Sequence, residues 1–141
     1  MTRIDFYVLK NESPAKHDTM ICRIAEKIWR AKRQLFIKCG DVKHAKDLDE
    51  LLWNFEDISF IPHELATEAA TAPILIGSRD EECPHRDVLM NMGDKVAQIS
   101  SSFDRVIESA GYDTSSREQA RNRYRYYKDR GFPLKTHKIS V

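Results

Sequence analysis

Glycine is scarce in this chain of 141 residues, and its five glycines are scattered singly along the sequence. None lies in a G-x-G-x-x-G or G-x-x-x-x-G-K-[ST] pattern, so the usual loop that lets a backbone approach a pyrophosphate is missing. The first predicted strand is followed instead by Lys10-Asn11-Glu12-Ser13, whose carboxylate would repel phosphate. We therefore expect no nucleotide site and no cofactor.

Residues that bind metals or act as nucleophiles are few and dispersed. The three cysteines and five histidines include no Cys-x-x-Cys and no helical histidine pair, which argues against the common zinc patterns. No G-x-S-x-G nucleophile elbow is present. His63 is the best remaining candidate for a general acid or base, although a lone histidine of this kind more often has a packing role. Nothing in the sequence argues for an enzyme.

Long apolar runs and a strong excess of charge are missing too. No run approaches the roughly 18 residues of a membrane span, and the start MTRIDFYVLK lacks the pattern of a signal peptide. The odd number and wide spacing of the cysteines suit a reducing cytoplasm. The formal net charge is +1, so any basic surface must be local. We expect a cytoplasmic protein, with residues 1–141 forming one domain.

The apolar spacing predicts alternating strands and helices. β-branched and aromatic residues predict a first strand at 4–9, and apolar residues every three or four positions predict a helix at about 16–31. The remaining predicted elements are a strand at 34–39, a helix at 42–53, short strands at 60–62, 74–76 and 87–92, and a final helix from about 115. Residues 96–110 are ambiguous between helix and strand. The alternation predicts a three-layer α/β domain, with a largely parallel sheet and helices on both faces.

The final helix has the strongest boundaries and the highest density of charge. REQARNRYRYYKDRGF, residues 117–132, holds six cationic and four aromatic side chains. Ser115 and Glu118 have the spacing of a capping box at its start. Gly131 followed by Phe132-Pro133 predicts its end.

A helical projection sorts the side chains of this helix into arcs. The arc predicted to face the core holds Ala120, Tyr124, Tyr127 and Gly131. The neighbouring arc holds the cationic row Arg117, Arg121 and Lys128, with Arg125 just beyond it. Arg123 and Arg130 point to the other flank. Because the helix offers few acidic partners at i, i+4 spacing, most of this charge is not neutralised within the helix.

Such a cationic row has several interpretations that the row alone leaves open. The simplest is a solvated helix face. Arginine forks also match carboxylate and phosphate oxygens, which suits an anionic partner. Duplex DNA would require a broader basic field, and single-stranded nucleic acid would use Tyr124 and Tyr126 for stacking. An acidic peptide ending in an apolar residue would require an apolar pocket beside the arginines.

A second informative stretch is LDELLWNFEDISFIPHELA, residues 48–66. Its large aromatic residues Trp53 and Phe60 are either core side chains, as large aromatics usually are, or the wall of such a pocket.

Four stretches, taken in order, resemble the chi subunit of bacterial DNA polymerase III. They are FYVLK, LDELLW…SFIPHEL, CPHRDVLMNM and ARNRYRYYKDRGFPL, and together they span nearly the whole chain. The resemblance implies a non-catalytic replication protein with a Rossmann-like α/β fold that binds no nucleotide. It also implies pairing with the psi subunit, which tethers chi to the clamp loader, and binding to the acidic C-terminal tail of single-stranded DNA-binding protein. Contact with DNA would then be mostly indirect.

The resemblance also implies where the tail binds. The matching positions are the cationic and aromatic residues Arg117, Arg121, Tyr124 and Arg125, with an apolar wall of Trp53 and Phe60. Arg125 stands where lysine is common in the family. Around Ala110-Gly111-Tyr112 the chain departs from bulkier apolar residues, which predicts a shallower rim. The surface for psi has no equally sharp motif, and direct binding of single-stranded nucleic acid remains the alternative function.

Overall fold

The computed structural model describes residues 2–9, 14–55, 58, 60–67, 70–110 and 113–139, with positions 14 and 15 described in their backbone alone. Within these ranges the chain forms strands, α-helices and two single-turn 3₁₀ helices. The strands are β1 (Arg3–Leu9), β2 (Leu35–Lys38), β3 (His63–Leu65), β4 (Ile74–Gly77), β5 (Val88–Asn91), β6 (Arg105–Ser109) and β7 (Leu134–Ile139). The α-helices are α1 (Pro14–Arg30), α2 (Val42–Asn54) and α3 (Thr114–Asp129), and the 3₁₀ turns cover Asp80–Glu82 and Ser100–Ser102.

The strands form one sheet in the order β3-β4-β2-β5-β6-β1-β7. Every neighbouring pair is parallel. Parallel sheets are covered on both faces because the connections between their strands cross over them. The predicted α/β class with a largely parallel sheet is therefore confirmed.

Two successive residues of β2 show which helices cover which face. Ile37 belongs to the apolar cluster that contains Ile24 of α1 and Leu48 of α2. Its neighbour Phe36 belongs to a second cluster with Tyr127 of α3. Because successive side chains of a strand point to opposite faces, α1 and α2 cover one face and α3 covers the other. The three-layer prediction is confirmed.

Two predicted element positions are corrected. Residues 60–62 form a turn rather than a strand, and β3 begins at His63. The chain also continues after α3 into β7, a strand that the apolar pattern does not predict. LKTHKI lacks the alternating apolar pattern of a half-buried strand because β7 lies at the edge of the sheet, where β1 is the one strand that pairs with it within the described ranges. The ambiguous stretch 96–110 contains β6 and no α-helix.

The start of α3 also differs from the expectation. Asp113 is the N-cap, and its Oδ1 accepts a hydrogen bond from the backbone N–H of Ser116 at 2.6 Å. Ser115 lies inside the helix, so the proposed capping box is wrong. An aspartate at this position satisfies the same free amide and adds a negative charge at the positive helix end. The predicted end is confirmed, since the helix stops at Asp129 and Gly131 adopts φ of +77°.

Candidate functional site

A groove of about 210 Å³ lies between α3 and the strands β1 and β7. Its helix side carries Arg117, Arg121 and Tyr124. The other lining residues, small or apolar with one hydroxyl, are Phe6, Val8, Ala110, Ala120 and Thr136. The groove therefore combines a cationic rim with an apolar floor, and no acidic side chain is among its described lining residues.

The arginines of the row differ in how firmly they are held. Arg117 is half-buried, and its Nη2 donates to the backbone carbonyl of Leu9 at 3.3 Å. Arg121 lines the same groove and is exposed. Arg125 is also exposed and lies one helical turn beyond Arg121, outside the described lining of the groove. The row thus runs from an anchored arginine to two solvated ones.

Tyr124 connects the rim to the apolar floor. Its ring meets Phe6 edge to face, with 5.3 Å between ring centroids and an interplanar angle of 65°. Edge-to-face aromatic pairs of this kind are favourable and fix ring orientation. Tyr124 is half-buried, so one side of the ring packs inward while the groove side stays accessible.

Trp53 and Phe60 do not reach this groove. α2, which ends just after Trp53, packs against β3 and β4 at one edge of the sheet, whereas the groove lies beside β7 at the other. α2 and α3 also lie on opposite faces. The right-handed crossover from β2 through α2 carries the helix away from the α3 face. The expected pocket combining these aromatics with the arginines is therefore not formed.

Trp53 and Phe60 instead mark an exposed aromatic region at the β3 edge, which we call the Trp53–Phe60 surface. Phe60 is 90% exposed and Trp53 is 50% exposed. The indole of Trp53 lies over the ring of His63, with 3.9 Å between centroids. His63 is buried, and its Nδ1 lies 2.6 Å from the carbonyl of Ile61, which accepts its hydrogen. These contacts favour the packing role of His63 over an acid–base role.

A family model described as "DNA polymerase III chi subunit, HolC" matches residues 1–135 of the chain. The chain belongs to the chi-subunit family of DNA polymerase III. It is 37% identical over 139 residues to DNA polymerase III subunit chi of Pseudomonas aeruginosa, covering 99% of this chain and 98% of that protein. It is 33% identical to the same subunit of Escherichia coli, covering 96% of this chain and 97% of that protein. The predicted resemblance is confirmed, and with it the assignment to a replication accessory subunit.

The fold of this chi-family chain also resembles a solved structure of distant sequence. A structure titled "The crystal structure of T4 UvsW" matches with a TM-score of 0.65 and 10% sequence identity. The match covers 99% of this chain, and this chain spans 42% of the length of the other. At this identity the match supports the α/β fold alone.

A second cavity of the chi-family chain lies at the carboxyl ends of β5 and β6, where doubly wound α/β folds commonly bind ligands. Its volume is about 390 Å³. Three carboxylates line it, from Asp18, Asp47 and Asp94. Arg123 also lines the cavity, but its guanidinium is paired with Glu108, so the three carboxylates make the cavity unfavourable for phosphate groups.

The described part of the chain holds no group of three or more histidine, cysteine or acidic residues arranged to bind a metal ion. Burial raises the pKa of Cys22 and of Cys39 to about 12 in each case, so both thiols stay protonated at neutral pH and are poor nucleophiles. None of the helices in the described ranges has the length and apolar character of a membrane span.

Arg123 is the residue whose role was misjudged from the sequence. Arg123 lies on the buried side of α3, which faces the sheet, rather than on an exposed flank. Its Nε donates to Oε1 of the fully buried Glu108 at 2.9 Å. Tyr127 donates its hydroxyl to Oε2 of Glu108 at 2.7 Å, and Asn91 donates to the same oxygen at 3.0 Å. Burial raises the pKa of Glu108, against the opposing effect of the Arg123 charge, and burial also raises the pKa of Tyr127. This buried network fixes α3 to β6.

Two signals in the sequence pointed to this network. Ala120, Arg123 and Tyr127 are spaced at i, i+3 and i+7, which places them on one side of a helix. Glu108 directly follows the apolar pair Val106-Ile107 in β6, and a buried carboxylate requires a cationic or hydrogen-bonding partner. The sequence pattern around Phe6 and Val8, which form the groove floor, is less informative. Apolar residues at alternating positions of β1 occur in any strand that packs against a core.

Proposed function

We propose that this chain links single-stranded DNA-binding protein to the clamp loader of DNA polymerase III, without catalytic activity of its own. It binds the acidic C-terminal tail of single-stranded DNA-binding protein and pairs with the psi subunit, which belongs to the clamp-loader assembly. Membership of the chi family supports this role. The observation that carries the tail-binding part is the groove, because its cationic rim and apolar floor match an acidic peptide that ends in an aromatic residue.

The rim of the groove binds the charged part of the tail. Arg121 and Arg125 pair with the tail carboxylates, and Arg117 adds positive charge at the deeper end. A charge-assisted hydrogen bond contributes about 1.5–3 kcal/mol when it is sheltered. An exposed ion pair contributes about 1 kcal/mol or less.

The floor of the groove receives the terminal ring of the tail between Tyr124 and the side chains of Phe6 and Val8. A short peptide loses conformational entropy when it docks, which offsets much of this contact energy. We therefore expect a dissociation constant in the micromolar range, equivalent to about −8 kcal/mol.

The psi subunit binds the Trp53–Phe60 surface in this proposal. Large exposed aromatic side chains commonly mark protein–protein interfaces, and tryptophan is among the residues that dominate their binding energy. This surface and the groove lie on opposite faces of the sheet. One chain can thus hold the tail and the psi subunit at the same time, as a linking function requires.

The substitution Arg121→Ala tests the tail-binding part of the proposal. We expect the affinity for a synthetic tail peptide, measured by isothermal titration calorimetry, to fall at least about tenfold, because the docked peptide covers Arg121 and shelters the charge-assisted bond that the substitution removes. Lys46→Ala removes the same charge from an exposed position on α2 and should leave the affinity unchanged. Equal affinities of wild type and Arg121→Ala would contradict the assignment.

The substitution Phe60→Ala tests the psi-binding part. We expect co-purification with psi to be lost, because truncating a central aromatic side chain of an interface commonly costs about 2 kcal/mol or more. Binding of the tail peptide should remain at the wild-type level. If the variant retains psi and loses the tail instead, the two surfaces have been assigned the wrong way round.

A second candidate function, direct binding of single-stranded nucleic acid, draws support from Tyr126. Its ring is partly exposed, and the guanidinium of Arg130 lies 3.6 Å from the ring centroid. Such a pair can stack on a base. This function requires that a naked oligonucleotide binds the chain with a steep dependence on salt. Loss of that binding in Tyr126→Ala, with tail binding intact, would establish it as a separate activity.

A further inference from the structure

Among the residues that the structure describes, no strand pairs with the backbone groups on the outer edge of β7. β7 is the last strand in the order of the sheet, and it pairs with β1 in parallel. The backbone N–H of Ile4 donates to the carbonyl of Pro133 at 2.9 Å. This bond shows which residues of β7 direct their backbone groups toward β1 and which direct them outward. In a parallel ladder of this register, the inward-facing amides belong to Lys135, His137 and Ile139. The N–H and C=O groups of Thr136 and Lys138 therefore point outward.

The groove beside α3 is continuous with this edge. Phe6 pairs in register with Thr136, and Val8 pairs with Lys138. Partners in register carry their side chains on the same face of the sheet. Phe6, Val8 and Thr136 all line the groove, and Thr136 and Lys138 are exposed. A peptide that enters the groove thus meets the open backbone edge of β7.

The charge of β7 suits an acidic peptide. The strand LKTHKI contains two lysines and no acidic residue. Lysines on an edge strand also guard against unwanted pairing with other chains. Lys138 pairs in register with Val8 and so carries its side chain on the groove face, the face that Arg117 and Arg121 line, whereas Lys135 pairs with Asp5 and carries its side chain on the other face. Lys138 therefore adds positive charge on the groove face of the edge.

We propose that the acidic segment preceding the terminal residue of the tail binds along β7 as an added strand. The outward N–H and C=O groups at Thr136 and Lys138 form hydrogen bonds with the peptide backbone, while the terminal ring enters the groove. Addition of a peptide to an open sheet edge is a common mode of recognition, in which main-chain bonds supply affinity and pockets supply specificity. This inference rests on the proposed tail-binding function and adds the backbone interaction to it.

A pair of substitutions at Lys138 separates the backbone bond from the charge. Lys138→Gln removes the charge and keeps the N–H, and we expect tail affinity to fall by no more than about threefold. Lys138→Pro removes the outward N–H as well, and we expect a further loss of about five- to tenfold. Proline is tolerated on an edge strand where the N–H faces solvent, so the fold should persist, as circular dichroism can verify. Equal affinities of the two variants would overturn the inference.

A second measurement changes the peptide and leaves the protein intact. A series of synthetic aspartate-rich peptides ending in phenylalanine carries one ester in place of one amide at each successive position. An added strand donates hydrogen bonds from every second residue, so affinity should fall at alternating positions. Uniform losses, or none, would overturn the inference even if the proline variant failed to fold.

These experiments distinguish failure of the inference from failure of the proposed function. If the peptides do not bind the wild-type chain, or if Arg121→Ala binds them equally well, the tail-binding function is wrong and the inference falls with it. If Arg121→Ala abolishes binding but the ester series has no alternation, the groove binds the tail without strand addition.

Discussion

The inner and outer sides of α3 use the same residue type for different purposes. On the inner side Arg123 is 7% exposed and is paired with a fully buried carboxylate. On the outer side Arg121 is exposed at the rim of the groove. The two arginines are separated by one residue in the sequence. The density of charge on a helix therefore does not show which charges stabilise the fold and which are available to a partner.

The difference between the two sides follows from desolvation. A charge removed from water must be compensated by its partners, so breaking a buried pair leaves an uncompensated ion in the protein interior. An exposed charge remains hydrated and costs little to remove, but it can attract a partner of opposite sign. The inner side of α3 thus stabilises the fold, and the outer side is available for reversible binding.

Removing Arg123 should have the largest effect. Arg123→Ala is expected to lower the free energy of unfolding by about 3–5 kcal/mol, because Glu108 is left buried without its cationic partner. Urea denaturation measures this loss. Arg121→Ala serves as the control on the outer side, and its unfolding free energy should change by less than about 0.5 kcal/mol. Equal stabilities of the two variants would remove the distinction between the two sides.

Removing the hydroxyl of Tyr127 should have a smaller effect on the same side. Tyr127→Phe deletes the 2.7 Å hydrogen bond to Glu108 while keeping the ring. We expect a loss of about 1–3 kcal/mol in unfolding free energy, the cost of leaving a buried acceptor short of one donor. Affinity for the tail peptide should not change, and a clear fall in affinity would mean that the inner network also shapes the groove.

Arg117 combines the structural role of the inner side of α3 with the binding role of the outer side. It lines the groove, and it also donates to the carbonyl of Leu9. Arg117→Ala should lower the unfolding free energy by about 1 kcal/mol, the usual net value of one hydrogen bond. It should also weaken tail binding several-fold, and titration calorimetry and urea denaturation on the same sample separate the two effects. Loss of one property alone would assign Arg117 to a single side.

A change in salt concentration should have the smallest effect of these tests, and it should act on tail binding at the outer side of α3 more than on the buried pair at the inner side. Raising ionic strength from about 0.1 M to about 0.5 M should weaken tail binding by a few-fold, because exposed charges are screened at these concentrations. The difference in unfolding free energy between wild type and Arg123→Ala should stay nearly constant, since buried pairs are screened much less. A binding affinity insensitive to salt would indicate that the apolar floor dominates recognition.

Much of the fold was predictable from the sequence because its apolar periodicity is strong. α1 and α2 were placed to within about two residues, the usual disagreement in assigning helix ends. The apolar pattern does not predict β7, because this strand has no second neighbour in the described part of the chain and carries polar side chains on both faces. The start of α3 was misplaced because two residues of similar capping ability, Asp113 and Ser115, stand close together.

The candidate site was predictable in part. Arg117, Arg121 and Tyr124 were predicted to act together, and the structure brings them to one groove because they share one side of a helix. The predicted apolar wall consists of Trp53 and Phe60, whereas Phe6, Val8 and Ala120 form the apolar floor of the groove. Spacing along a helix reports which residues of that helix lie together, but it carries no information about which strand lies beneath them.

The sequence by itself determined the alternating α/β elements, the absence of the usual phosphate-binding loop and the cationic row on α3. It also determined the family, because motifs far apart in the chain occur in a specific order. Only the tertiary structure decided that Arg123 is buried, that Trp53 and Phe60 lie on the face opposite α3, and that β7 borders the groove. The physical reason is that local patterns depend on contacts between near neighbours in the chain. Burial and adjacency depend instead on the order in which distant strands pair, and that order is set by the packing of the whole sheet.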